Sequence, residues 1–410
     1  MVDLAVIHAG ELVTCGSTGD TPEESLGLIE DGALSVDDGR VSWVGTTKEY
    51  DRKGLKARRT VDARGNLVTP GLVDPHTHLL YAGSREDELE RKVAGESYKA
   101  ILASGGGITR TVRETRKASS EEIARESGGR LAQLLRNGVT TAEVKTGYGQ
   151  SMEGELKILE AVGLLRRTSR VELVPTFLGL HATPPEFRKA GDYVNYVVKE
   201  VLPAIASAET KCAFSDCFCE DGVFSRQECG TYLKASKASG FRLKIHADEF
   251  ADSGGASLAA ELGCTSADHL GSSDPAGIEA LAEKEVAAVL LPWTSLSSSI
   301  PFADARSIIE SGCRVALGTD LSPNSWVESP QLVMSLACAG MKMTPAEALL
   351  GFTVNAARAI ERRDLGVLTE GSSADFVVYS LPSYRFLPYR IGGQYVESVF
   401  KKGEAVFGPG

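Results

Sequence analysis

The chain has 410 residues, of which 42% are hydrophobic and 24% charged, the composition of a folded globular protein. That length suits two or three domains, or one (β/α)8 barrel of about 250 residues with a smaller partner. A net charge of -11 with no basic run argues against a nucleic-acid partner and requires a local cation for any anionic substrate. No apolar run approaches the roughly 20 residues of a membrane span. Residues 1–12 have acids early and no basic start with an apolar stretch, so a cytoplasmic protein is expected.

Residues 1–68 read as β structure. Short apolar strands are predicted at 4–7 and 12–13, and a hairpin at 32–36 and 40–44 around Asp37-Asp38-Gly39. His8 lies here, apart from the other histidines, and reads as a surface residue. From Leu67 the pattern changes to apolar runs alternating with longer amphipathic stretches. The runs are 72–74, 141–145, 171–177, 214–218, 243–246, 266–269, 286–291 and 315–320. Helices are expected at 151–165, 191–205, 225–239, 254–262, 275–284, 303–311 and 345–360. A further one opens at Ser119-Ser120-Glu121-Glu122, with a cap and early acids, and closes at Asn137-Gly138. Eight strands alternating with helices predict a closed (β/α)8 barrel. An open doubly wound sheet is the alternative, weakened by the lack of a G-x-G-x-x-G turn after the first strand. Strands return at 374–379, 396–400 and 403–407, and the two β-rich ends are expected to join in one small domain. The eight cysteines are scattered. Cys217 and Cys219 form only C-x-C, so all read as core thiols in a reducing compartment.

The polar residues fall at strand ends. His76 and His78 close the first barrel strand, and side chains two apart on a strand share a face. Pro75 between them suits a strand's end. Tyr148 follows the second strand, His181 the third, and His246, His269 and Asp320 end the fifth, sixth and eighth. Barrel active sites lie at the C-terminal ends of the strands, so five of the six histidines converge on one rim. Three imidazoles and a carboxylate, His76, His78, His246 and Asp320, suit a divalent ion of the zinc or iron type with room for water. Such an ion makes hydroxide available near neutral pH, with Asp320 able to take the water's proton.

Glu249, three residues past His246, reads as a proton shuttle to a leaving nitrogen, with a capping carboxylate as the alternative. Asp248 reads as structural. His269 orients the water or stabilises an oxyanion, or else is a fifth ligand. Arg85 lies on the long loop after the first barrel strand. It either clamps a substrate carboxylate or pairs with Glu86, Asp87 or Glu88. Tyr98 and the turn Gly105-Gly106-Gly107 follow on the same loop.

These residues resemble the amidohydrolase superfamily, and within it the imidazolonepropionase family. The likeness rests on Asp74-Pro75-His76-Thr77-His78-Leu79, Ala82-Gly83-Ser84-Arg85, Ser104-Gly105-Gly106-Gly107-Ile108 and Glu143-Val144-Lys145-Thr146-Gly147-Tyr148-Gly149. It continues through Phe177-Leu178-Gly179-Leu180-His181-Ala182, Phe218-Cys219-Glu220-Asp221-Gly222-Val223-Phe224, Ile245-His246-Ala247-Asp248-Glu249 and Ala267-Asp268-His269-Leu270. The resemblance implies a barrel over 69–362 and a β-sandwich built from 1–68 and 363–410. It also implies a homodimer and one Zn2+ or Fe3+ per chain held by His76, His78, His246 and Asp320. Catalysis would fall to Glu249, His269 and Asp320. Substrate contacts would come from Arg85, Tyr98, Tyr148, His181, Glu249, Ser322, Asn324 and Ser325. The implied reaction opens the ring amide of 4-imidazolone-5-propanoate, giving N-formimidoyl-L-glutamate. The alternatives are a deaminase of nucleobases with the same ligands, and a non-catalytic assembly protein of similar fold. Two places depart from the family. Ser322-Pro323-Asn324-Ser325 stands where Asn-Pro-Gly-Ser is usual, so Ser322 is expected to lose a product hydrogen bond. Trp293 stands where a glycine usually follows Pro292, adding bulk near the rim.

Overall fold

A computed structural model describes residues 1–96, 100–101 and 104–409; Tyr98 lies outside the described residues. The first strand, β1 (Val2–Val13), is continuous where two short ones were expected. A bulge between Val6 and Ala9 carries the interruption, with His8 at φ 54° and its ring 3.3 Å from Asp31. The predicted hairpin forms from β2 (Leu28–Asp37) and β3 (Arg40–Thr46). Its turn residues Asp38 and Gly39 both have positive φ, as the hairpin's twist demands. Two further strands follow, β4 (Ala57–Asp62) and β5 (Leu67–Pro70).

β5 is where the chain's two ends meet. It pairs in parallel with β1 and antiparallel with β14 (Phe376–Tyr379). Beyond β14 come β15 (Val396–Lys401) and β16 (Glu404–Phe407), so one eight-stranded sheet holds both ends of the chain. The sheet curls on itself. Leu4, Val6, Leu34 and Val36 share a core with Val378, Phe376 and Phe400, the last two stacked 4.3 Å apart.

Between these ends lie eight parallel strands: β6 (Leu72–Asp74), β7 (Val139–Lys145), β8 (Glu172–Leu180), β9 (Phe214–Cys219), β10 (Arg242–Ala247), β11 (Ser266–His269), β12 (Ala287–Leu290) and β13 (Val315–Leu317). They lie in chain order, each paired to the next. The barrel closes just past β6 and β13, where Thr77 bridges Leu321. There the Asp320 N–H donates to the His76 carbonyl (3.0 Å) and the His78 N–H to the Leu321 carbonyl (2.9 Å). The seam of the barrel is thus made by the backbone that carries three of the expected metal ligands.

The helices follow the expected positions with three differences. The stretch expected at 191–205 is interrupted by a π turn, Val197–Val201. The stretch at 345–360 divides into Pro345–Gly351 and Val354–Ala359. Helices Thr47–Lys53, Asp87–Val93, Gly107–Lys117, Pro292–Ser297 and Pro330–Met341, and the single turns Pro22–Ser25 and Phe386–Tyr389, were not expected. All eight cysteines are free. No helix among the described residues is long and apolar enough to cross a membrane.

Candidate metal centre and substrate pocket

Nε2 of His78 lies 3.1 Å from Nε2 of His76 and 3.1 Å from Nε2 of His246. An Asp320 carboxylate oxygen is 3.6 Å and 3.5 Å from the first two. All four side chains are buried. The other ring nitrogens explain the arrangement. His76 Nδ1 is 2.6 Å from Asp268, and His246 Nδ1 is 3.1 Å from Asp216. Each imidazole donates its Nδ1–H to a carboxylate, which leaves its Nε2 a lone pair. Convergent lone pairs repel, and a single His78 proton satisfies only one of them, so the donor set fits a cation. Burial, with Lys145 close by, holds the pKa of His76 well below its ordinary value; burial and His246 do the same for His78. Neutral imidazole is the ligating form.

Beneath the rim is a network absent from the sequence expectations. Lys145 Nζ lies 2.7 Å from Asp216, 2.8 Å from Glu143 and 3.7 Å from Asp268. Lys244 lies 3.6 Å from Asp268 and donates to the Pro75 carbonyl at 3.2 Å. All five side chains are fully buried. Burial opposes charge on Lys145, but Asp216, Glu143 and Asp268 outweigh it and raise its pKa. Burial likewise opposes charge on Asp216, where His246 and Lys145 win and lower it. The signal was present in the sequence: charges two apart, Glu143 with Lys145 and Lys244 with His246, on strands otherwise apolar. Two-residue periodicity sends each pair to one face.

Asp268 and His269 break that periodicity. Asp268 holds His76, yet the ring of its neighbour His269 is only 5.5 Å from the His76 ring. Adjacent strand residues cannot both face inward in extended backbone. His269 has φ 78°, which turns its ring back to the rim. Asp248 and Asp320 also have left-handed backbone, at φ 54° and 53°, so conformational strain collects at the site. Asp248 is structural, accepting the N–H groups of Ser253, Gly255 and Ala256 and the Ser273 hydroxyl. Glu249 lies 3.7 Å from His269. Burial, then the charges of Asp320 and Glu220, raises its pKa well above the usual carboxylate range. Glu220 also accepts the N–H groups of Phe250 and Ala251, fixing the loop just past Glu249.

On the opposite side, the Tyr148 ring stands 5.0 Å from the His181 ring, which is 5.2 Å from His78. His181 Nδ1 donates to the Gly147 carbonyl at 3.2 Å, and burial with His246 nearby pushes its pKa to about 3. The loop bearing Tyr148 is held by Glu155, whose carboxylate accepts from Gly147, Gly149 and Gln150. Gly147 sits at φ 107°, and a Cβ there would meet the Leu178 carbonyl at 2.9 Å. Arg130 fixes the segment after His78, donating to the carbonyls of Leu79 (2.9 Å) and Tyr81 (2.8 Å) with its guanidinium over the Tyr81 ring. Neither Glu155 nor Arg130 was expected; both answer backbone groups that irregular loops leave without partners.

Arg85 takes the second of its predicted alternatives, a pair with Glu88, and adds a contact to Asn324. Its Nε donates to Glu88 (3.1 Å) and its Nη2 to the Asn324 amide oxygen (2.8 Å). The loop carrying Asn324 is tied to the metal side. Thr294 donates to Asp320 at 2.5 Å and lies 3.2 Å from the Ser325 hydroxyl. The Ser322 hydroxyl accepts the Ser325 N–H at 3.1 Å, so it is engaged within its own loop. The Trp293 indole nitrogen is buried without a partner among the described residues.

A profile of the Amidohydrolase family matches residues 84–407. Imidazolonepropionase from Geobacillus kaustophilus is 45% identical, the alignment covering 100% of this chain and 99% of that protein. Imidazolonepropionase from Parabacteroides distasonis is 42% identical over 98% of both. Among solved structures, guanine deaminase from E. coli superposes with a TM-score of 0.73 at 18% identity, covering 99% of each chain. Atrazine chlorohydrolase from Arthrobacter aurescens, solved with zinc, superposes with a TM-score of 0.69 at 17% identity, over 99% of this chain and 94% of that one. These two show a shared fold across different chemistries.

Proposed function

The chain belongs to the imidazolonepropionase family of the amidohydrolases, and on that footing we propose that it hydrolyses 4-imidazolone-5-propanoate to N-formimidoyl-L-glutamate. The observation that carries the reading is the pairing of a His-rich metal centre with a buried arginine tied to the same rim loop. His76, His78, His246 and Asp320 would hold one zinc or iron ion. When bound, the ion polarises the ring carbonyl and acidifies a water. Asp320 takes the water's proton, its second oxygen already anchored by the Thr294 hydroxyl. Glu249, whose pKa is raised by burial and by the Asp320 charge, delivers a proton to the nitrogen that leaves as the ring C–N bond breaks. His269 stays neutral beside Glu249 and faces the reacting carbonyl as a hydrogen-bond partner. Tyr148 and His181 line the ring's flank. Arg85 pairs with the propanoate, and Ser325 and the Asn324 loop border it.

A nucleobase deaminase has no use for cations at this position, because its substrates are neutral. The test is direct. Metal-replete protein is incubated with imidazolonepropanoate and its ultraviolet absorbance is followed. Loss of the chromophore with about one ion per chain by elemental analysis is the expected result. No loss, with the metal present, overturns the reading.

A further inference from the structure

Asn324 occupies a place where the family usually has glycine, and its side chain does something a glycine cannot. Its amide oxygen accepts from Arg85 Nη2 at 2.8 Å and from Lys92 Nζ at 3.0 Å. A neutral carbonyl oxygen thus sits between two cations. Lys92 has no carboxylate within ion-pair distance among the described residues. Arg85 has one, Glu88, and Glu88 is already engaged. One of its oxygens takes the Arg85 Nε–H and the other the Gly107 N–H at 2.7 Å. Two cations and one carboxylate leave a residual positive charge, in a chain whose net charge is -11. Nearby, the half-buried Arg91 and Arg110 are each matched by a carboxylate, Glu96 and Asp87. An amide oxygen bound by two cationic donors marks where a carboxylate oxygen binds better, since charge-assisted hydrogen bonds are stronger than those to a neutral acceptor.

We propose that Lys92 acts with Arg85 as a two-cation clamp for the substrate's carboxylate, and that the Asn324 side chain is an internal stand-in which the carboxylate displaces. This rests on the functional reading above. It adds a specificity-determining residue, Lys92, on the helix Asp87–Val93, and gives the unusual Asn324 a role in setting affinity. Asn324 holds the two cations together while the pocket lacks an anion, at the cost of competing with one.

The test compares two unreactive ligands on metal-replete protein by calorimetry: 3-(imidazol-4-yl)propanoate and its neutral primary amide. Lys92→Met is expected to weaken the carboxylate ligand about tenfold, the worth of one charged hydrogen bond, and to leave the amide unchanged. Lys92→Arg restores the preference. Asn324→Gly strengthens the carboxylate ligand severalfold, whereas Asn324→Asp supplies a rival carboxylate and weakens it about tenfold or more. Equal loss for both ligands in Lys92→Met, or no loss for either, overturns the clamp. Weaker carboxylate binding in Asn324→Gly overturns the stand-in role. Turnover of imidazolonepropanoate by the unaltered protein is scored separately. Its absence defeats the functional reading, while the carboxylate-against-amide comparison still decides the clamp.

Discussion

Two pairs of cations stand on either side of the rim histidines, and their partners differ in kind. Lys145 and Lys244, inside the barrel, are answered by Asp216, Glu143 and Asp268. On the loop side Glu88 holds the Nε of Arg85, while Lys92 and the other arm of Arg85 share the neutral oxygen of Asn324. A buried cation matched by carboxylates is locked, because removing either partner leaves an uncompensated charge in low dielectric. A cation matched by an amide is exchangeable, because an anion offers a stronger partner. The first pair therefore shapes the proposed metal ligands, and the second is the pair proposed to take the substrate's carboxylate. The carboxylates show the same division: Asp268 and Asp216 each hold a histidine, while Glu249 is tied to no lysine or arginine among the described residues and its pKa is raised.

The sharpest break of this contrast is His246→Ala. It is expected to lose the metal and reduce turnover by at least about 10⁴-fold, since the water's acidity depends on the ion. Elemental analysis and initial rates read both effects. Glu249→Gln should cost about 10²–10⁴-fold in kcat with metal content intact. The sign of its pH effect follows from the raised pKa. In the proposed mechanism the protonated form is the acid, so activity should fall as pH rises through that pKa, and the alkaline limb caused by Glu249 should disappear in the glutamine variant. A pH–rate profile of both proteins checks this.

Arg85→Ala belongs to the exchangeable side. It should raise KM by about 100-fold, the worth of a charged pair of hydrogen bonds, while metal content stays at the unaltered level. Metal loss in that variant would place Arg85 on the locked side instead. Lys145→Met tests the locked side by the opposite signature. Metal affinity should drop about 10–100-fold because Asp216 and Asp268 lose the charge that positions them. Unfolding free energy should fall by about 3–5 kcal/mol, and KM of the metal-saturated protein should stay unchanged. Competition with a chromogenic chelator and urea unfolding supply the readouts.

Periodicity made much of the fold legible. All eight barrel strands lie within a few residues of their predicted places, because a strand covered on both faces reads as an apolar run bounded by turns. The helices Gly107–Lys117 and Pro330–Met341 escaped. The second is apolar nearly all round, since it is covered on several sides, so it shows no amphipathic stripe. The strand β5 was missed for another reason: it ends in Pro70, and a proline argues against a strand paired on both sides.

By itself the sequence determined where each histidine falls along its strand, and therefore that five of them reach one rim. His76 and His78 share a face because strand geometry has a period of two. The tertiary structure alone decided which groups answer them. Asp268 is 192 residues from His76, and Asn324 is 239 from Arg85; no local period links such pairs. Closing the barrel brings them together, and the left-handed backbone at His269 puts two adjacent side chains on one site. Such contacts depend on the register of distant strands and on what the burial of charge demands, and both exist only once the chain has folded.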